Sequence, residues 1–185
     1  AMVDKYFGGT LPTERQSGEF DEELIAAATG LTAKLEGLLD QTQLNHMLAE
    51  IFQVVSRANK YIDETAPWIL AREEANRTRL ATVLYNLLET IRIITVPLSA
   101  FMPETMPKIW EQIGASEADV AYSSTAAVFG TLPANVTVHK GDIIFPRIDV
   151  EKEIDELNQL ILAAQPKEEP QEPEFTPQPL AEEID

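Results

Sequence analysis

The chain has 185 residues, 44% of them apolar, which suits one domain with a sizeable buried core. It has no cysteine, which excludes disulfides and thiolate chemistry, and its two histidines, His46 and His139, lack metal-ligand spacing, so no zinc site is expected. A net charge of −17 opposes broad phosphate binding, yet it is uneven: residues 1–150 carry 20 acids and 12 bases, whereas the rest carries 11 acids and 2 bases.

Residues 1–7 read as the last turns of a helix stopped by Gly8-Gly9, with Thr10-Leu11-Pro12 leading into a loop. From Asp21 the positions Leu24, Ala28, Leu31, Leu35, Leu38 and Leu39 predict one helical face, with Asp21, Glu22 and Glu23 suiting its N-terminal dipole. Asp40 or Thr42 is the expected cap of the next helix, whose stripe is Leu44, Leu48, Ile51, Phe52, Val55, Ala58 and Ile62. Pro67 suits a first turn, so Trp68 is placed on a short new helix at a corner. A second long helix carries Leu80, Leu84, Leu87, Leu88, Ile91 and Ile94, and Pro97 should kink or end it. Pro103 and Pro107 bound a turn before a short helix around 109–113, ended by Gly114.

Residues 116–149 are less regular, with β-branched runs near 134–146 that suggest a small hairpin or an irregular excursion. Helical spacing returns over 151–163 with Ile154, Leu157 and Leu160/Ile161, and Trp110 fits helix packing while His46 lies off the apolar stripe. From Gln165 onward proline and glutamate dominate, as in an extended linker. The expected organisation is a helical domain over 1–163 and a Pro/Glu-rich segment over 164–185. No apolar run reaches about 18 residues and the N-terminus lacks signal-peptide regions, so a soluble, cytoplasmic protein without a membrane partner is expected. No phosphate loop, hydrolase serine motif or catalytic carboxylate pair is present, so no catalytic residue is assigned.

The stretch Ser56-Arg57-Ala58-Asn59-Lys60-Tyr61-Ile62-Asp63-Glu64-Thr65-Ala66-Pro67-Trp68 resembles the anticodon-binding helix of bacterial-type methionine–tRNA ligases. The family pattern runs Asn, Lys or Arg, Tyr, aliphatic, Asp or Glu, two variable residues, then Ala-Pro-Trp. Ala1-Met2-Val3-Asp4-Lys5-Tyr6-Phe7, Leu98-Ser99-Ala100-Phe101-Met102-Pro103-Glu104-Thr105 and Phe145-Pro146-Arg147-Ile148-Asp149 resemble flanking parts of the same family, over about residues 1–163. The resemblance implies an all-α helical bundle of the class I aminoacyl-tRNA synthetase anticodon-binding type. It also implies that Trp68 stacks on the wobble cytosine of the CAU anticodon, with Pro67, Asn59, Asp63, Lys60 and Arg57 as further candidate contacts.

From the residues alone, a tryptophan after a proline fits a core anchor better than a base platform, and Lys60–Glu64 is most simply a surface ion pair. The family's adenylate-forming motifs are absent here, and an asparagine and an arginine that read the anticodon would precede Ala1. The resemblance therefore implies a fragment that is itself inactive and uses no cofactor. Its parent would use ATP and methionine, with methionine tRNA and the catalytic domain as partners. The segment Glu182-Glu183-Ile184-Asp185 resembles the lead-in to an appended tRNA-binding domain, through which the parent would form a homodimer. The rival readings are the same domain from another class I synthetase and a non-enzymatic helical interaction module.

Overall fold

The structure, a computed structural model, describes residues 1–121 and 128–164. Among these residues the fold is helical, with no β-strand beyond a single bridge. The helices are α1 (Met2–Phe7), α2 (Asp21–Thr29), α3 (Leu31–Asp40), α4 (Leu44–Thr65), α5 (Pro67–Leu70), α6 (Arg77–Leu98), α7 (Met106–Ile113) and α8 (Val150–Ala164), with a 3-10 turn at Glu74–Asn76. The chain separates into two compact units, Ala1–Ile144 and Phe145–Asp185. That division lies ahead of the 163/164 boundary read from composition. The expected linker over 165–185 lies outside the described residues.

In the first unit α6 is the axis, and α2, α4, α5 and α7 all pack on it. It contributes Leu80, Leu84 and Leu88 to a cluster with Val3, Leu11, Ile113, Leu132 and Val136, and Ile93 and Ile94 to a second with Leu31, Leu35, Met47, Ile51 and Val54. A third, smaller cluster joins Leu24, Tyr61 and Val83. Burying a leucine or isoleucine is worth roughly 1.5–3 kcal/mol, so these clusters are the main source of stability. The predicted stripe on α6 is half of the truth, because Thr82, Asn86, Glu89, Thr90, Arg92 and Thr95 are buried as well. Its composition would allow a bilayer span, but 78% of the qualifying stretch is buried inside the protein, as in the core helix of a soluble fold.

Three expectations are corrected. The helix from Asp21 is two helices, broken at Gly30, and Leu39 is exposed. Neither Asp40 nor Thr42 caps α4: Gln43 precedes it, without a side-chain cap bond, and Thr42 sits at φ 57°. The buried stripe of α4 is Met47, Ile51, Val54 and Tyr61, so Leu44 and Phe52 are exposed. The buried stripe is turned slightly from the predicted one: it shares Ile51, leaves Leu48, Val55, Ala58 and Ile62 half-buried, and includes Tyr61, which is buried whole because its hydroxyl has a partner. Of the two forms expected near 134–146, the irregular excursion is the one found, since that stretch holds no strand. Residues 136–138 pair instead with residues 9–11, through Leu11 N–H to Val136 O (3.1 Å), Val138 N–H to Gly9 O (2.8 Å) and the Thr10–Thr137 hydroxyls (2.9 Å).

Other signals hold. Gly8 and Gly114 end α1 and α7 in the left-handed conformation, and Pro67 and Pro107 lie in first turns. Pro97 falls one residue before the end of α6. Trp110 is half-buried and donates from Nε1 to Thr95 Oγ1 at 2.9 Å, while His46 is exposed and meets Gln43. In the second unit α8 is preceded by Asp149, whose Oδ1 accepts from Lys152 N–H, and it carries exposed Ile154, Leu157, Leu160 and Ile161.

Candidate functional site

The long helix α4 reaches the site region through a polar network in the core. Tyr61, fully buried, donates its hydroxyl to Asp21 Oδ1 at 2.6 Å and accepts from Asn86 Nδ2 at 3.3 Å. Arg79 grips the same Asp21 with two bonds of 2.6 and 2.7 Å. Burial works against the charged form of Asp21, but bonds from Arg79, Tyr61 and Gly18 outweigh it and hold the carboxyl below its ordinary range. Burial, with the Asp21 bond, pushes the Tyr61 hydroxyl far above its ordinary value, so it remains a donor. α2, α4 and α6 are thereby fixed against each other where the motif begins.

An α-helix rotates about 100° per residue, so Asn59 and Asp63, each two positions from buried Tyr61, point about 200° away from it. Both are exposed. Lys60 is exposed too and reaches Glu64 Oε1 at 3.3 Å, the surface ion pair expected from the spacing. Arg57 sits lower. Its side chain is 10% exposed, Nη1 donates to Glu64 Oε2 at 2.8 Å, and Nε lies 3.0 Å from Glu23 Oε1, near enough for charge attraction but not aligned as a hydrogen bond. Partial desolvation disfavours charged Glu64, yet the bonds from Arg57 and Lys60 prevail and keep it ionised below the usual range. Arg57 thus ties α4 to α2 and braces the last turn before the corner.

The corner itself is backbone chemistry. Ala66 ends α4 at φ 42° and ψ 63°, in the left-handed region, and its carbonyl accepts from Ile69 and Leu70 to start α5. Pro67 is buried at the first position of α5. Trp68, next to it, is 45% exposed, and no hydrogen bond or ion pair joins it to Arg57, Asn59, Lys60 or Asp63 among the described residues. Of the six candidates, then, Pro67 and the Arg57 guanidinium are internal supports in this structure. Asn59, Lys60, Asp63 and Trp68 present their side chains to solvent.

Beyond α5 lies a small, open surface cleft, lined by Tyr6, Leu70, Glu73, Glu74 and Arg77 among others. Arg77 lies over the Phe7 ring at 4.8 Å, and Lys5 over Tyr6 at 5.1 Å. The adjacency of a cation and two aromatics in Lys5-Tyr6-Phe7 was the available signal, but Arg77 comes from 70 positions away and no local pattern announces it. Among the described residues no cluster of acids and histidines could hold a metal ion.

A family model described as the anticodon binding domain of methionyl tRNA ligase matches residues 11–161. The methionine–tRNA ligase of Caldanaerobacter subterraneus is 49% identical over 153 residues, covering 83% of this chain and 24% of that protein. That of Clostridium perfringens is 43% identical over 184 residues, covering 100% of this chain and 28% of its own length. The apo crystal structure of Mycobacterium tuberculosis methionyl-tRNA synthetase superposes with a TM-score of 0.72 at 28% identity, over 80% of this chain and 30% of that one. The chain spans about a quarter of the length of the curated relatives it matches. With the all-helical bundle, the motif of α4 and the corner at Ala66–Trp68 in place, the chain belongs to the family of methionyl-tRNA ligase anticodon-binding domains.

Proposed function

We propose that this chain recognises the CAU anticodon loop of methionine tRNA on behalf of a cytoplasmic enzyme that joins methionine to tRNA at the expense of ATP. The observation that carries this reading is Trp68. A tryptophan placed by a buried proline, yet 45% exposed at a helix corner, offers a rigid apolar plane to an unstacked base. Asn59 and Asp63 on the exposed side of α4 supply hydrogen-bonding groups of the kind that read base edges. The chain itself offers no adenylate-forming motif, so the ligase chemistry belongs to the catalytic domain of the parent, and the isolated chain is expected to catalyse no methionine-dependent exchange between ATP and pyrophosphate.

The test is titration of the chain with stem-loops that differ only in the anticodon. CAU should bind most tightly, and Trp68→Ala should weaken it by about 1–3 kcal/mol, the value of one base–aromatic stack. Equal affinity across the panel, with Trp68→Ala indistinguishable from the unaltered chain, would refute the reading.

A further inference from the structure

The end of α4 is built against its own electrostatics. Its last turn carries Asp63 and Glu64 and no basic residue, although the carbonyl end of a helix favours cations. Two residues beyond Glu64, Ala66 occupies the left-handed region, which alanine rarely adopts. A turn of this kind persists only where its surroundings over-determine it. Arg57 is the surrounding group that can do so. It lies seven residues before Glu64, which is two turns of helix less about 20°, so the two side chains share one flank of α4. Arg57 Nη1 reaches Glu64 Oε2 at 2.8 Å. On its other side the guanidinium faces Glu23 in the first turn of α2, two residues from the Asp21 that Tyr61 and Arg79 hold in the core. The second partner of Glu64 has no such anchor: Lys60 is 65% exposed and reaches Oε1 at 3.3 Å.

Stability alone does not account for a buried arginine at this point. Its side chain is 10% exposed, and Nε and Nη2 are buried without a hydrogen-bond partner among the described residues. An ion pair so incompletely bonded recovers little of the hydration it gives up, and an apolar side chain of similar volume commonly serves a fold as well or better. Nor does Arg57 reach the side of α4 that faces a ligand, because Asn59 and Asp63 stand about 200° and 240° round the helix from it. What Arg57 does, and an apolar residue could not, is hold Glu64 from a fixed point. Glu64 is four residues ahead of Trp68, and buried Pro67 carries its position into α5.

We propose that Arg57 is a positioning residue: anchored between α2 and Glu64, it sets the last turn of α4 and the left-handed turn at Ala66, and so the plane that Trp68 offers to a base. The proposal rests on the anticodon reading above, and the test separates the two. The 185-residue chain, Arg57→Met, Trp68→Ala and the double variant are titrated with the CAU stem-loop over a range of salt, and thermal unfolding is recorded for each. Arg57→Met should unfold close to the unaltered chain yet bind CAU about 3- to 30-fold more weakly, part of the roughly 5- to 100-fold that a whole stack is worth. In the Trp68→Ala background the same substitution should cost less than about 2-fold, because the plane it positions is gone. The slope of log affinity against log salt should stay unchanged, since a buried cation neutralises no phosphate. Arg57→Lys keeps a charge beside Glu64 without the rigid fork, so it should fall between Arg57→Met and the unaltered chain, and it carries the test if Arg57→Met does not fold. Affinity equal to the unaltered chain in both Arg57 variants, a loss that multiplies with that of Trp68→Ala, or a slope flattened by about 0.7–0.9 would overturn the proposal and leave the anticodon reading standing. If the unaltered chain shows no preference for CAU, both fall together.

Discussion

Tyr61 illustrates how one residue of a recognition motif can serve the fold rather than the ligand. Its ring is fully buried, and its hydroxyl closes a chain of bonds from Asn86 through Asp21 to Arg79. Tyr61→Phe leaves the ring but removes the acceptor of Asn86 Nδ2 and one of the two donors to Asp21 Oδ1, which keeps its bond from Arg79, and an unsatisfied buried polar group costs about 1–3 kcal/mol. Denaturant unfolding should report a loss of that size. Asp21 gives the matching pH dependence. Its carboxyl is depressed in the fold, so its contribution is complete above the unfolded value of about 3.9 and disappears as pH falls through the lower folded value. The stability gap between the unaltered chain and Asp21→Asn should therefore be constant near neutrality and shrink below about pH 4. A gap that widens on acidification would contradict the assignment. Tyr61 acts in the opposite sense: its raised value means that stability is complete below about pH 10 and declines above it. Trp68 stands apart from this network. Being 45% exposed, its truncation should cost well under the about 3–5 kcal/mol of a core tryptophan, as thermal unfolding of Trp68→Ala would measure.

Elements meet at close quarters where α7 ends. Gly114 has φ 73°, and a Cβ built on it would stand 2.0 Å from Thr137 O. The left-handed conformation alone costs an ordinary residue about 1–2 kcal/mol. Because the contact is with backbone, Gly114→Ala must also push residues 136–138 away from their bonds to residues 9–11. The expected loss is at least about 2 kcal/mol in chemical denaturation; a neutral effect would mean that this segment is not held. Such tertiary closeness sets the limit of what the sequence discloses. Gly114 as a helix end was legible from local chemistry, as were Pro67 and the i,i+4 pair Lys60–Glu64. The facing of α4 was not, since Tyr61 earns its burial from Asp21, 40 residues away. The two-sided burial of α6 was hidden for the same reason. Its Glu89 and Arg92 are fully buried because they satisfy each other at 2.9 Å and because Glu89 also accepts from Gly130 and Leu132 N–H. Of the site, the corner and its tryptophan were readable from the motif; the Arg77–Phe7 pair, joining α6 to α1, was not.

At the scale of the whole molecule the charge is the constraint. A chain of net charge −17 repels RNA at long range, and salt-dependent phosphate contacts cannot be numerous. The basic residues in or next to the segments that form the corner and the cleft are Lys5, Lys60, Arg72 and Arg77, of which Lys60 is already engaged with Glu64 and Arg77 with Glu74. At most about four phosphates can then be neutralised. Each contributes a slope of about −0.7 to −0.9 when log affinity is plotted against log salt concentration, so the slope for a CAU stem-loop should be no steeper than about −3 to −4. Recognition that rests on stacking has the converse signature. Trp68→Ala should lower affinity at every salt concentration without altering the slope, because a neutral ring releases no counterions. Combining Lys5→Ala and Arg72→Ala should flatten the slope by about 1 to 2 while retaining the preference for CAU over other anticodons. A slope steeper than about −6 for the unaltered chain, or loss of anticodon preference on removing those two cations, would mean that phosphates rather than bases hold the loop, and the anticodon would have to be read elsewhere.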